Sequence, residues 1–134
     1  MDKLYEDVDL AQFYDLDNGW TPGALSCKDR ARDCLSVLDL GCGTGMLAAD
    51  LARDGRRRVA GVDPAKPMLD IARERPGGDQ VRWVEGDART IRLEERFDLV
   101  VLTGHAFQVF LTEEDQVAVL ETIANHLAPM GRFI

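Results

Sequence analysis

From residue 36 onward, short apolar runs alternate with segments whose apolar residues recur every three or four positions. The first pattern marks strands and the second amphipathic helices. Ser36 to Leu40 is an apolar run that meets a glycine-rich turn at 41–45, and Met46 to Arg53 reads as a helix with Leu47 and Leu51 four residues apart. Val59 to Val62 is a second strand; Pro67 opens a helix through Arg75, which Pro76-Gly77-Gly78 terminates. Val81 to Val84 is a third strand, and Phe97 to Leu102 a fourth, apolar enough to be buried on both faces. Thr112-Glu113-Glu114-Asp115 has the form of a capping box. It starts a helix with Val117, Leu120, Ile123, Ala124 and Leu127 on its inner side; Pro129 and Gly131 end it, and Arg132 to Ile134 begins a fifth strand. Strands alternating with crossover helices predict an α/β fold, a doubly wound parallel sheet with helices on both faces.

Residues 1–35 follow a different pattern and read as a mostly helical cap segment before a core at 36–134. Leu4, Val8 and Ala11 fall on one helical face, and Thr21-Pro22 supplies an N-cap with proline at the first helical position. An aromatic and polar loop, Phe13 to Trp20, lies between these helices.

Composition narrows the function classes. At 134 residues the chain is one domain with room for a genuine core. No apolar run reaches membrane-spanning length, and the acidic start MDKLYEDVDL suits neither a signal nor a transit peptide. A cytoplasmic location is therefore expected. The net charge of −8 disfavours a nucleic-acid partner and suits a small cationic or neutral ligand. Cys27, Cys34 and Cys42 are odd in number and lack CxxC spacing, so free thiols are expected and no metal site.

The chemistry concentrates in VLDLGCGTG at 37–45, where a strand feeds a turn containing Gly41, Gly43 and Gly45 and a helix follows. Glycines there permit positive φ and let a ligand approach the backbone, while the helix start offers unpaired N–H groups. Gly43-x-Gly45-x-x-Ala48 satisfies the weaker form of the dinucleotide fingerprint. Asp39 speaks against that ligand, because a buried carboxylate repels a pyrophosphate; it suits a ligand that brings an ammonium group. Asp63 ends the second strand, 18 residues after Gly45, where an acid can accept from two ribose hydroxyls or cap the next helix. Asp87, in EGDA after the third strand, is placed to accept from an exocyclic adenine amine or to serve as a turn residue. Three acids at the ends of three successive parallel strands face one crevice.

These segments resemble the class I S-adenosylmethionine-dependent methyltransferases, with a Rossmann-like fold. DLGCGTG (39–45), GVDPAKPML (61–69), GDA (86–88) and FDLVVLTGHAF (97–107) look like their first four motifs, and LAPMGRF (127–133) like the turn into their fifth strand. The resemblance implies S-adenosyl-L-methionine as cofactor and methyl transfer; since nothing in the chain marks a DNA, RNA, lipid or protein reader, a small-molecule acceptor is the default expectation. It implies that Gly41 and Gly43 line the methionine part of the cofactor, that Asp39 reaches its amino group and that Asp63 holds the ribose hydroxyls. Pro64 and Met68 would pack on the adenine, Asp87 and Ala88 would bind its edge, and Thr103 and Gly104 would pass under the methyl donor.

On the acceptor side His105 is the one plausible base near the donor, although a packing role is commoner for a loop histidine. Tyr14 and Trp20 are candidate lid residues. No catalytic residue is assigned, since displacement at a sulfonium chiefly needs alignment. Cys42 reads as a packing residue rather than a nucleophile, His126 as a cation at a helix C-terminus without a function, and Arg53, Arg56, Arg57 and Arg58 as a solvated turn rather than an RNA patch. Met130 replaces the first glycine of the family's LAPGG turn, which would strain a backbone that needs positive φ there. The family's sheet has seven strands and the later ones are missing here, which leaves an edge at which self-association is expected. Two rivals stand beside methyl transfer: cofactor binding without turnover, and a nicotinamide-dependent oxidoreductase domain.

Overall fold

A computed structural model describes residues 22–102 and 112–134. Tyr14, Trp20, Thr103, Gly104 and His105, and the helical face of Leu4, Val8 and Ala11, lie outside the described residues. Helix α1 (Pro22–Arg30) begins at the proline, as its preset φ favours. Strand β1 (Ser36–Leu40), helix α2 (Met46–Ala52), strand β2 (Arg58–Asp63), helix α3 (Lys66–Glu74) and strand β3 (Val81–Glu85) follow. Strand β4 (Phe97–Leu102), helix α4 (Glu113–His126) and strand β5 (Leu127–Phe133) complete the described order.

The five strands pair in the order β3-β2-β1-β4-β5, all parallel. Strand order reverses between β1 and β4, and in open α/β sheets the crevice beyond the strand C-termini at such a point is where ligands bind. Alternate residues divide the core into two layers. Val37, Val59, Leu99 and Val101 pack with Leu47, Ala48 and Leu51 of α2 and with Ala31 and Cys34 after α1. Leu38, Leu40, Ala60, Val62 and Val100 pack on the other face with Val119 and Ile123 of α4. The Rossmann-like fold predicted from the sequence is the fold observed. No helix among the described residues is long and apolar enough to cross a membrane.

Three details differ from the sequence expectation. Helix α4 starts as its cap predicts, with the Thr112 hydroxyl accepting the Asp115 N–H at 3.0 Å, but it presents a rotated face. Val119, Thr122, Ile123 and His126 are buried, whereas Val117 and Leu120 are 52% and 47% exposed and Ala124 is exposed too. Polar residues take inner positions here because each is satisfied internally. His126 Nε2 accepts the Leu93 N–H at 3.0 Å while Nδ1 donates to the Thr122 carbonyl at 2.7 Å. That pattern is a neutral imidazole, which corrects the expected helix-terminal cation. Thr122 in turn accepts from Arg92 at 2.8 Å.

The fifth strand begins at Leu127, directly after the helix, instead of at Arg132. Pro129 cannot continue the helix, and a bulge lets Phe97 pair with Leu127 while Leu99 pairs with Arg132. Met130 carries no strain, since Glu94 alone among the described non-glycine residues has positive φ; the Met130 side chain is 98% exposed. Gly131 is the constrained position of that turn: a Cβ there would lie 2.9 Å from the Phe97 carbonyl.

Candidate functional site

The glycine turn is held to the neighbouring strand by its backbone. Gly41 and Cys42 both donate to the Val62 carbonyl, at 2.7 and 3.0 Å. Gly43, at φ 58°, has its N–H turned instead to the Asp63 carboxylate at 2.9 Å. A Cβ on Gly43 would meet nothing within 4 Å, so open space stands over the turn at that point. From the α3 side Arg75 donates to the carbonyl and hydroxyl of Thr44, at 3.2 and 3.3 Å.

Asp39 and Asp63 come together beside this turn. Asp39 is 2% exposed, and its Oδ1 has no hydrogen-bond partner among the described residues. Burial, and then the neighbouring Asp63 carboxylate, push its pKa up to about 8. Asp63 is 6% exposed, and its two oxygens accept the N–H groups of Ala65 and Gly43, each at 2.9 Å. Burial raises its pKa while those two bonds oppose the rise. Asp63 thus ties the strand end to the glycine turn without capping α3, whose N-cap is Ala65, and still retains lone pairs for a ligand.

Cys42 is held as a thiol: burial, then the charges of Asp39 and Asp63, raise its pKa well above the ordinary thiol value. These terms oppose the activation a helix N-terminus could give, so the packing role fits it. Burial and Asp39 also raise Cys27. Cys27, Cys34 and Cys42 are all free, and no metal-binding group of His, Cys, Asp and Glu is found among the described residues.

Asp87 lies at the same end of the sheet but is engaged elsewhere. Arg89 Nε lies 3.0 Å from both of its oxygens and Nη2 is 2.6 Å from Oδ2. Hydrogen bonding to Arg89 holds the carboxyl below its ordinary range. The same guanidinium reaches Asp115 in the first turn of α4, at 3.1 Å. Ala88 is buried among Leu38, Leu40 and Leu93. Pro64 is exposed at the end of β2, whereas Met68 is fully buried against Ala65 and Ile71 and presents no surface to a ligand in this conformation.

Two structural residues were hidden in the sequence. Arg57 is read there as part of a solvated turn, yet its side chain is only 8% exposed. Its guanidinium donates to the carbonyls of Ala31, Arg32, Cys34 and Leu51 at 2.8–3.3 Å, so it caps the ends of α1 and α2. Arg58 and Arg82 both pair with Glu95, which further occupies the basic run. Trp83 packs beneath the glycine turn, and the signal that could have found it is the pair of glycines, Gly45 and Gly61, against which it lies.

The arrangement is chemically specific: a buried carboxyl with one oxygen unpartnered among the described residues, a second carboxyl tied to the glycine turn, and open space above Gly43. It fits a ligand carrying an ammonium and hydroxyl groups and repels a pyrophosphate.

Comparison with known proteins agrees with this chemistry. The family model described as "Methyltransferase domain" matches residues 37–131. The chain belongs to the methyltransferase domain family. The cypemycin N-terminal methyltransferase of a Streptomyces species is 40% identical over 133 residues, 96% of this chain and 54% of that protein. A ubiquinone biosynthesis O-methyltransferase of Neisseria meningitidis is 36% identical over 101 residues, 71% of this chain and 40% of that protein. Among solved structures, SAM-bound CalS10, an amino pentose methyltransferase from Micromonospora echinaspora, superposes with a TM-score of 0.74 at 31% identity, covering 96% of this chain and 55% of that one. The chain spans about half the length of two curated relatives it matches, 54% and 50% of them. The methyltransferase domain accounts for the glycine turn without the nicotinamide chemistry its spacing also allows.

Proposed function

We propose that this methyltransferase domain binds S-adenosyl-L-methionine and transfers its methyl group to a small-molecule acceptor. One observation carries the assignment: the buried Asp39 Oδ1, without a partner among the described residues, in the strand that feeds the open glycine turn. An ammonium placed there would satisfy that oxygen and replace the repulsion from Asp63 with an attraction.

Bound in this way, the cofactor supplies a sulfonium methyl that a nucleophile displaces in line. The chain's own contribution is alignment. Asp39 fixes the amino end, Asp63 accepts from the ribose hydroxyls while holding Gly43, and the Gly41–Gly43 backbone lines the methionine part. Asp87 and Ala88 bind the adenine edge and Pro64 covers a face of the ring. Met68 joins it only after a shift that uncovers its side chain. Thr103 and Gly104 remain the proposed floor beneath the methyl donor, with Tyr14 and His105 on the acceptor side. Positioning of this kind supplies up to roughly 7–11 kcal/mol of barrier lowering without an acid or base.

The relatives' names refer to the N-terminus of cypemycin, to ubiquinone biosynthesis and to an amino pentose, which supports a natural-product acceptor class without selecting one member. Free thiols suit a reducing, cytoplasmic setting. Strand β5 is the last strand at its side of the described sheet, with Met130 and Phe133 exposed. Self-association there is part of the proposal, and a stable monomer on sedimentation at high concentration would remove it.

Calorimetric titration tests the cofactor. Heat of binding is expected with S-adenosylmethionine and with S-adenosylhomocysteine, and none with NAD; the reverse would overturn the proposal. Transfer of labelled methyl to a panel of amine and hydroxyl acceptors then separates turnover from binding alone.

A further inference from the structure

Gly61 of β2 pairs in register with Asp39 on one side and Trp83 on the other. Register partners in a parallel sheet point to the same face, so the three form a single cross-strand row. The middle member has no side chain, and the Trp83 indole occupies the space it leaves. A Cβ on Gly61 would stand 2.6 Å from Trp83 Cζ3 and 3.1 Å from Cys42 Sγ. The indole continues past Gly61 to the end of the glycine turn. There a Cβ on Gly45 would stand 2.5 Å from Cη2 and 2.6 Å from the Ala72 Cβ. Gly45 has φ 78°, so it is held in the left-handed region and pressed between the indole and α3.

The ring is itself fixed at its far side. Nε1 donates to the Gly78 carbonyl at 2.7 Å, and the turn that carries this carbonyl is packed tightly on two helices. A Cβ on Gly77 would lie 2.3 Å from the Ala49 carbonyl oxygen of α2, and one on Gly78 would lie 2.1 Å from the Ala72 carbonyl oxygen of α3. The carbonyl that accepts the indole N–H is thereby held in place against both helices.

We propose that Trp83 is a positioning residue for the cofactor turn: its indole, wedged against Gly61 and Gly45, holds the Gly41–Gly45 backbone in the form that leaves the space over Gly43 open. This rests on S-adenosyl binding at that turn. Trp83 touches no reacting atom; it acts through the two glycines. A ring that only filled the core would contribute to stability alone, whereas a positioning ring sets the affinity of the folded protein as well.

The test compares thermal stability with the calorimetric Kd for S-adenosylhomocysteine in the whole chain. Trp83→Phe keeps an aromatic ring but lacks the outer indole atoms that reach Gly45, and is expected to bind at least threefold more weakly while remaining folded. Trp83→Ala is expected to bind at least tenfold more weakly. Gly61→Ala should weaken binding in the wild-type background, where its Cβ meets the ring, and weaken it much less in the Trp83→Ala background, where only the Cys42 Sγ contact remains. Failure of Trp83→Ala to fold leaves the decision to Trp83→Phe and Gly61→Ala. An unchanged Kd in Trp83→Phe, or equal effects of Gly61→Ala in both backgrounds, overturns the positioning role. A wild-type chain that binds no S-adenosylhomocysteine overturns the cofactor assignment instead, and the role of Trp83 with it.

Discussion

At the N-terminal rim of the sheet, Arg57 distributes its guanidinium over four main-chain carbonyls, with its side chain 8% exposed. At the opposite rim Asp39 is 2% exposed and keeps an oxygen with no partner among the described residues. Both are ionisable groups taken out of water, which costs several kcal/mol for an isolated charge. The first is answered within the chain, and what results is a rigid junction between α1, α2 and β2. The second is left unanswered, and its carboxyl holds a proton up to about pH 8. Where the hydrogen-bond accounting closes, the molecule has built structure; where it stays open among the described residues lies the proposed cofactor site.

Removing Arg57 should produce the largest effect. Arg57→Ala removes a donor from four carbonyls, of which those of Ala31 and Arg32 keep Cys34 N–H and Arg56, while those of Cys34 and Leu51 lose their guanidinium bond; it is expected to lower unfolding free energy by about 2–4 kcal/mol, read from urea denaturation. Arg57→Lys should recover less than half of that, because one ammonium cannot span carbonyls that a planar fork reaches together. Affinity of the folded variant for S-adenosylhomocysteine should stay within about twofold, since the residue lies at the far rim. A loss below about 1 kcal/mol would mean water satisfies these carbonyls and would dissolve the contrast between the two rims.

Asp39→Asn should act in the opposite sense. Loss of a charge-assisted bond to an ammonium is worth about 1.5–3 kcal/mol, so affinity is expected to fall roughly 10- to 150-fold. The free protein at pH 8 should melt higher than wild type, because the variant no longer forces a charge into the interior. Weaker binding together with a higher melting temperature is the signature of a site residue; parallel losses would make Asp39 an ordinary core group.

The same carboxyl gives a pH dependence. Its folded pKa of about 8 lies above its ordinary 3.8, so between those values the folded chain holds a proton that the unfolded chain has released. Stability from this group is complete below about pH 4 and declines as pH rises toward 8. An ammonium ligand favours the carboxylate, so binding below pH 8 should expel a proton. Affinity should then rise by up to about tenfold per pH unit on approach to pH 8. Titrations at pH 6.5 in two buffers of different ionisation enthalpy would read the proton release directly, and Asp39→Asn should abolish it.

The sequence made one rim far more legible than the other. The strands, the turn at 41–45 and the acids at 39 and 63 follow from short-range pattern, because turn glycines and strand-end carboxyls are local features. Apolarity does not mark the inner face of α4, because Thr122 and His126 are buried through partners as distant as Arg92 and Leu93. Arg57 and Trp83 escaped for a related reason. Beyond the local Arg57–Asp54 pair, their partners lie on other turns and elements, Ala31 for Arg57 and Gly45 for Trp83 among them, and no short window of sequence places these together. Asp87 was recognised as a rim acid, but its pairing with Arg89 links two positions whose charge alone says nothing of who holds whom.

That pairing gives the smallest expected effect and the finest division within the rim. Arg89 is exposed, and exposed ion pairs contribute little to stability. Arg89→Ala should therefore leave the melting temperature nearly unchanged and shift S-adenosylhomocysteine affinity by no more than about twofold. Selectivity should change instead. With its carboxylate no longer shared, Asp87 would offer both oxygens to the adenine amine. Comparing S-adenosylhomocysteine with its inosine analogue, in which a carbonyl replaces that amine, isolates the contact. The variant should prefer the amine about twofold more strongly than wild type does, since a freed carboxylate repels a carbonyl that Arg89 now partly shields. Equal preference in both proteins would assign Asp87 to the turn and to the anchoring of α4 through Asp115, leaving Asp39 and Asp63 as the acids that distinguish this rim from the one that Arg57 closes.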